Sequence, residues 1–196
     1  MVTHSPTAEA RPSAARDRLL RTASALFYAD GVRGVGVERV VAEASVTRAT
    51  FYRHFAGKEA LVVAYIEAAD AAVRRRAGEP PSGTPERARA WLAAATDVVG
   101  ETVCAPGFRG CAFINAAAEY PDPSSPVRQA VRAHRAWLLG VVTEALRGAG
   151  HPDPAAAGRR WMVMRDGAMV GGYLGDPAEA RDTLRAGVRD LLAEAP

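Results

Sequence analysis

The chain has 196 residues, of which 48% are hydrophobic and 24% are charged, the proportions of an ordinary globular protein. A disordered or fibrous chain is therefore excluded, and a chain of this length can bury a core without disulfides or metal. Its longest stretches without a charged side chain reach nine residues, as at 110–118, whereas a membrane helix needs about 20 apolar residues. No membrane partner is expected.

The number of cysteines and the composition of residues 1–14 predict the cellular compartment of the protein. Two cysteines, Cys104 and Cys111, are too few for a disulfide framework or a closed zinc site, so a reducing environment is expected. Residues 1–14 hold no positive head followed by an apolar run, so they are interpreted as a solvated, disordered tail rather than a secretory signal. We therefore predict a cytoplasmic protein without a cofactor.

The net charge of +3 is concentrated at one end of the chain. Residues 1–60 hold nine Lys or Arg against six Asp or Glu, whereas the other 136 residues hold sixteen of each. A basic end on a neutral body favours contact with a polyanion, because neutralising phosphates releases counterions. A surplus of this size is also compatible with an ordinary solvated surface.

Glycine and proline separate a series of helical apolar patterns, and no alternating apolar run is long enough to indicate a sheet. The sequence predicts an all-α protein with a DNA-binding domain over 15–60 and a helical bundle over 61–196. Residues 171–177 are predicted to separate the last two helices. The nine predicted helices are 16–29, 37–44, 48–55, 58–76, 86–103, 108–120, 127–148, 155–170 and 178–192.

The second and third helices have the spacing of a helix-turn-helix, whose second helix must be short enough to enter the major groove. Ser45-Val46-Thr47 forms the turn, and Thr47 is expected to cap the third helix. The buried positions are expected to be Val40, Val41, Val46, Phe51 and Phe55. A basic and hydroxylic face remains, as phosphate and base-edge contacts require: Arg48, Thr50, Tyr52, Arg53 and His54.

The run AEASVTRATFYRHFAGKEAL (42–61) resembles the DNA-binding domain of TetR-family transcriptional repressors. The third helix of those proteins carries a T-x-Y-x-H-F signature followed by a lysine, matched here by Thr50, Tyr52, His54, Phe55 and Lys58. The resemblance covers about residues 16–65, and 110–128 is more loosely similar to the C-terminal domain of one subgroup. It implies that Thr47 and Arg48 open the recognition helix, that Thr50 and Tyr52 reach base edges or phosphates, and that His54 and Lys58 grip the backbone.

Three positions depart from the family pattern. Gly36 and Gly57 replace residues that often supply a capping hydroxyl to phosphate, and glycine caps a helix nearly as well but has no hydroxyl. Ser45 stands where the turn usually has glycine. A left-handed backbone at Ser45 would cost about 1–2 kcal/mol unless the turn differs.

The resemblance also implies a C-terminal domain that binds a small-molecule effector and dimerises through the last two helices, where small or apolar positions such as Gly171, Gly172 and Gly187 suit a two-fold interface. Polar groups among apolar helices can orient a ligand, but they also occur in a satisfied core. The candidate effector contacts are Tyr65, Trp91, Cys111, Asn115, His134 and Trp137.

We therefore predict a homodimeric repressor that leaves a palindromic operator in double-stranded DNA when an effector binds. One alternative is a redox-responsive regulator that uses Cys104 and Cys111, and another is a DNA-binding protein without an effector. An enzyme is not expected, because the sequence lacks G-x-S-x-G and H-E-x-x-H. GVRGVG (31–36) follows no predicted strand, so it is not a dinucleotide fingerprint.

Overall fold

The computed structural model describes residues 13–79 and 83–195. Within these ranges the chain forms nine α-helices and no strand, which confirms the predicted fold class. Residues 1–12 of the predicted tail lie outside the described residues, and α1 begins two residues before its predicted start. The helices are α1 Ala14–Asp30, α2 Val37–Glu43, α3 Arg48–His54, α4 Lys58–Ala77, α5 Pro85–Val103, α6 Ala112–Glu119, α7 Pro126–Gly148, α8 Pro154–Leu174 and α9 Pro177–Ala193.

The chain divides into two compact units, the first ending at Tyr65 and the second beginning at Ile66. In the first unit α1 packs against α2 and α3, which also pack against each other. Phe51 and Phe55 are buried beneath the face of α3, and α1 buries one stripe of apolar side chains against them: Leu19, Ala23, Leu26 and Phe27. Burial of these apolar side chains holds the three short helices in a fixed relation.

The turn between α2 and α3 is a Schellman motif with an unusual residue at its left-handed position. The amide of Ser45 donates to the carbonyl of Ala42 at 3.1 Å, and that of Val46 donates to the carbonyl of Val41 at 3.2 Å. Ser45 has a φ of 52°, so its backbone is left-handed, the case in which a residue with a Cβ is strained. The same motif ends α7 with Gly150 at this position, the usual choice because glycine has no Cβ.

The second unit is a helical bundle. α5 packs against α7, α8 and α9, α7 and α9 both pack against α8, and α6 packs against α7. Trp161 of α8 is 1% exposed, and its indole Nε1 donates to Oγ1 of Thr96 at 3.3 Å. Among the described residues, no helix is long and apolar enough to cross a bilayer.

Three details of the predicted bundle are wrong. α8 continues to Leu174, because Gly172 serves close packing rather than a break: a Cβ there would lie 2.1 Å from Cγ1 of Val103 on α5. α6 begins only at Ala112, since Gly110 has a left-handed φ of 85°. The apolar spacing over 127–148 predicts that Val141 belongs to the buried stripe of α7, but the helix buries Val142 instead.

Candidate functional site

A chain of hydroxyl groups lines the start of α3. The side chain of Thr47 accepts a hydrogen bond from the Thr50 amide at 3.1 Å, which confirms the predicted cap. The two hydroxyl oxygens are 2.9 Å apart, and the Arg53 guanidinium donates to Oγ1 of Thr50 at 3.2 Å. These contacts hold a hydroxyl and a guanidinium side by side on a solvent-facing helix.

An exposed aromatic residue lies next to this chain. Tyr52 is 49% exposed, and its ring meets the buried ring of Phe51 edge-on at a centroid distance of 5.1 Å. The guanidinium of Arg48 lies 5.7 Å from the centre of the Tyr52 ring, and its Nη1 is 3.2 Å from Oε1 of Glu38. The Tyr52 ring therefore packs on Phe51 and lies beside the guanidinium of Arg48, while its remaining surface faces solvent.

His54 and Lys58 have partners within the first unit that the sequence does not reveal. Nε2 of His54 lies 3.2 Å from Oγ of Ser13, and Nζ of Lys58 donates to the carbonyl of Arg33 at 3.3 Å. These bonds connect the end of α3 to the start of α1, and the start of α4 to the loop before α2. Both side chains thus position helices beside the basic face.

In the second unit, α7 buries a histidine. His134 is 2% exposed, its Nδ1 lies 2.7 Å from Oδ1 of Asp70, and its ring stacks on Phe113 at a centroid distance of 3.6 Å and an angle of 1°. Burial lowers the pKa of His134, and the positive charges of Arg165 and Arg74 add to this effect, while Asp70 opposes it. The imidazole is therefore held neutral.

Asp70 joins that histidine to a cation over an aromatic ring. The Arg74 guanidinium donates to Oδ2 of Asp70 at 2.6 Å and lies 4.1 Å from the centre of the Trp137 ring. Burial alone would raise the pKa of Asp70, but the hydrogen bonds from His134 and Arg74 outweigh burial and lower it. The carboxylate therefore stays ionised and accepts from both side chains.

A buried guanidinium lies close enough to act on the same histidine. Both terminal nitrogens of Arg165 are 3.3 Å from Sγ of Cys111, and one is 2.8 Å from Oδ1 of Asp166. Asp166 also accepts from Arg135 at 2.7 Å. Arg165 is 6% exposed, so its charge acts in an environment where solvent screens it weakly.

Comparison with known proteins identifies the family. Residues 19–65 match the family described as bacterial regulatory proteins, tetR family. A solved TetR-family transcriptional regulator from Streptomyces coelicolor is 46% identical, with a TM-score of 0.86 over 92% of this chain and 95% of that one. This chain belongs to the TetR family. It is a DNA-binding transcriptional regulator, and its family is not one of enzymes.

Two curated regulators are similar to parts of this TetR-family chain. The repressor NemR of Escherichia coli (strain K12) is 28% identical over 132 residues, which are 67% of this chain and 66% of NemR. The regulator TcmR of Streptomyces glaucescens is 41% identical over 71 residues, 34% of this chain and 31% of TcmR. The match to NemR thus spans about two thirds of its length.

The structure of this TetR-family regulator places the six candidate effector contacts differently. His134 and Trp137 lie together, with ring centroids 5.9 Å apart, and Cys111 contacts the Arg165 that acts on His134. Asn115 is exposed and donates to the carbonyl of Arg109 at 2.9 Å, so its predicted interior position is wrong. The first turn of α6 faces the core with Phe113 instead.

The other two aromatic candidates make structural contacts. The indole of Trp91 donates to the carbonyl of Ala77 at 2.8 Å. Tyr65 is buried in the first unit, edge-on to Phe27 at a centroid distance of 5.8 Å. Neither contact excludes a ligand, but both give the ring a role in packing.

Both cysteines are free thiols. Cys104 is exposed, with its sulfur 3.4 Å from the carbonyl of Pro177, whereas Cys111 is buried against Arg165. The Cys104 sulfur therefore contacts a backbone carbonyl at the surface, and the Cys111 sulfur contacts a buried guanidinium.

Sequence reasoning missed Asp70 and Arg165. A signal for Arg165 exists in the sequence, since it lies among Trp161, Met162, Ala168 and Met169 on the buried face of α8. A charged residue on such a face needs a partner. No comparable signal points to Asp70, because its partner is 64 residues away.

Proposed function

We propose that this regulator is a repressor that binds a pseudo-palindromic operator as a homodimer and leaves it when a small molecule binds the second unit. The α3 surface is the observation that carries the proposal. It presents hydroxyl, phenol and guanidinium groups on a helix of 7 residues, short enough for the major groove.

The contacts of α3 support a role for each of its side chains. Tyr52 and Arg48 extend from the exposed side and reach base edges or phosphates, while Thr47, Thr50 and Arg53 form a preorganised row beside them. Lys58 and His54 contact the DNA backbone. Lys58 also holds the loop before α2 through the carbonyl of Arg33, and His54 also holds the start of α1 through Ser13. A phosphate contact at Lys58 suits a compact ammonium, which binds phosphate as a point charge.

Exposed apolar residues on α8 support the homodimer. Val163 and Leu174 are 72% and 76% exposed, and Val170 and Tyr173 are nearly half-exposed. A second copy that covers α8 and α9 would remove this apolar surface from water. Two recognition helices would then enter successive major grooves about 34 Å apart.

The buried polar residues around His134 support an effector site. Polar groups with fixed orientation inside an apolar bundle are what a small-molecule site needs. The effector releases DNA only to the extent that it binds the DNA-incompetent state more tightly.

Fluorescence anisotropy tests DNA recognition. Full-length protein is titrated against duplexes selected from a random pool and against a scrambled control, at several salt concentrations. We expect Lys58→Ala to weaken binding and to reduce the salt slope by about 0.9, the value for one lost phosphate contact. Tyr52→Phe should weaken binding to the selected sequence without changing the slope.

Arg147→Ala is the matched control, because Arg147 is an exposed arginine at the end of α7 in the second unit. It removes one positive charge away from α3 and should leave affinity and slope unchanged. If no sequence is enriched from the pool, or if Tyr52→Phe and Arg147→Ala behave alike, the assignment of α3 as the reading helix is wrong. If Lys58→Ala and Arg147→Ala behave alike, Lys58 makes no phosphate contact.

A further inference from the structure

His134 buries a ring nitrogen that has no hydrogen-bond partner among the described residues. Its Nδ1 is engaged with Asp70 at 2.7 Å, whereas Nε2 is buried and unpaired. A carboxylate accepts hydrogen bonds, so Nδ1 carries the proton and Nε2 presents a lone pair. A buried polar atom in this state indicates an absent partner, and that partner must donate a hydrogen bond.

The charges around the ring decide what kind of donor fits. The facing charged groups are Asp70 and Arg74 on α4 and Arg165 on α8, and burial together with the two arginines keeps the ring neutral. A neutral ring offers a lone pair, which repels an anion. The terminal nitrogens of Arg165 are already engaged with Cys111 and Asp166. Arg165 therefore does not present a vacant cation to a carboxylate.

The rings around His134 favour an organic donor over a water molecule. Phe113 covers one face of the imidazole in a parallel stack, and the Trp137 ring lies 5.9 Å away at an angle of 42°. A buried water is typically held by about three hydrogen bonds, and aromatic rings supply none. A flat aromatic molecule with one hydroxyl needs only one polar partner and stacks on its neighbours.

We propose that Nε2 of His134 accepts a hydrogen bond from the hydroxyl group of a neutral, phenol-like effector. The inference rests on the proposed effector-responsive function and names the chemical class of the effector. Hydrogen bonds in a chain polarise one another, so the bound hydroxyl strengthens the bond from Nδ1 to Asp70. Asp70 lies on α4, whose first residues, 58–65, belong to the unit that contains the helix-turn-helix.

A panel of three related compounds tests the chemical class on the full-length protein. Phenol, benzene and benzoate have the same ring but offer a donor, no polar group and an anion, respectively. Isothermal titration and thermal denaturation are expected to show phenol binding about tenfold more tightly than benzene, the usual worth of one hydrogen bond. Benzoate should bind more weakly than phenol.

Two variants localise the effect. His134→Phe keeps an aromatic ring against Phe113 but removes the acceptor, so it should abolish the preference for phenol over benzene. His151→Phe is the matched control, since His151 is also a buried histidine, 5% exposed, whose Nε2 likewise has no hydrogen-bond partner among the described residues and lies 3.4 Å from Oε2 of Glu194. It should retain the preference.

If His134→Phe does not fold, histidine-selective nitrogen NMR of the wild-type protein gives the same information. Phenol should shift the Nε2 resonance of His134 and leave the proton on Nδ1. Equal binding of phenol and benzene, tighter binding of benzoate, or no response to any of the three overturns the inference; the last result indicates a site that holds only water. A protein that reads its operator but shows no phenol preference contradicts this inference alone, whereas a protein that reads no DNA sequence contradicts the proposed function.

Discussion

Glu38 of α2 and Arg48, the first residue of α3, form an ion pair on the face that carries the recognition residues. Oε1 of Glu38 lies 3.2 Å from Nη1 of Arg48, and both side chains are more than 60% exposed, at 72% and 66%. Such an exposed pair contributes little to stability, because solvent screens the two charges. The pair matters for DNA binding in two ways. The carboxylate of Glu38 repels phosphates, and it also competes with them for the guanidinium of Arg48.

We expect Glu38→Gln to tighten binding to non-specific DNA by about two- to fivefold at low salt, because it removes one repulsive charge and frees Arg48. Anisotropy against scrambled duplexes at two salt concentrations measures this change. Glu101→Gln is the matched control, since Glu101 is an exposed partner of Arg76 in the second unit. Equal effects of both substitutions would show that only net charge matters.

Ser45→Gly is expected to stabilise the protein. The left-handed φ of 52° penalises a residue with a Cβ, while glycine adopts it freely but loses more entropy on folding. The net gain should be about 1 kcal/mol, measured by urea denaturation at equilibrium. Ala42→Gly, in α2, should cost about 1 kcal/mol instead. If Ser45→Gly lowers the free energy of unfolding, the backbone at Ser45 is not strained.

Stability should fall with acidification in two steps. The pKa of His134 is lowered from its ordinary value of 6.5, so the unfolded chain binds the proton more readily, and stability is complete above pH 6.5 and decreases below it. The pKa of Asp70 is also lowered from 3.8, so a second loss begins as the pH falls below that value. Denaturation at a series of pH values should show that His134→Phe removes the first step. A profile unchanged in that variant would contradict a buried neutral imidazole.

Replacing each cysteine by alanine should change the free energy of unfolding by different amounts. Cys111→Ala leaves the buried Arg165 without one acceptor and should cost about 1–3 kcal/mol, whereas Cys111→Ser retains an oxygen acceptor and should cost less. Cys104 is exposed, so Cys104→Ala should change the free energy of unfolding by no more than about 0.5 kcal/mol. Equal losses measured by urea denaturation would argue against a supporting contact at Arg165.

A charge on α8 should disrupt the proposed dimer. Leu174→Glu would bury an unpaired carboxylate in the interface, so the dissociation constant of the dimer should rise at least about tenfold. Light scattering coupled to size-exclusion chromatography measures the mass, and Ala133→Glu on the exposed side of α7 serves as control. A dimer that persists in Leu174→Glu would place the interface elsewhere.

The helices are predictable from the sequence because each carries a local periodic pattern and local stop signals. That reasoning reaches its limit at Gly172. When only the sequence is known, a glycine at this position indicates the end of a helix. In the fold the same glycine lets α8 approach Val103 of α5, and only the packed structure distinguishes these two uses. Ser45 shows a second limit, because its position indicates what a left-handed backbone would cost but not whether the turn adopts one.

The recognition residues could be proposed from the sequence since they occupy consecutive turns of one short helix. The buried residues around His134 could be proposed only in part. Asp70, Phe113 and Arg165 come from three other helices, and sequence spacing carries no information on which side chains meet across a bundle. Asn115 shows the resulting error, because helical periodicity places it beside Cys111 but cannot say which face points inward.

Lys58 is the single lysine among 25 basic residues. It lies at the start of α4, in the unit that carries the recognition helix, with its Nζ bonded to the carbonyl of Arg33. Any reagent that acylates primary amines therefore has one side-chain target in the whole chain. Attachment there removes the positive charge and the bond to the loop in one step, so once the α-amino group is blocked an amine-reactive fluorophore labels the DNA-binding unit at one side chain without any engineered residue.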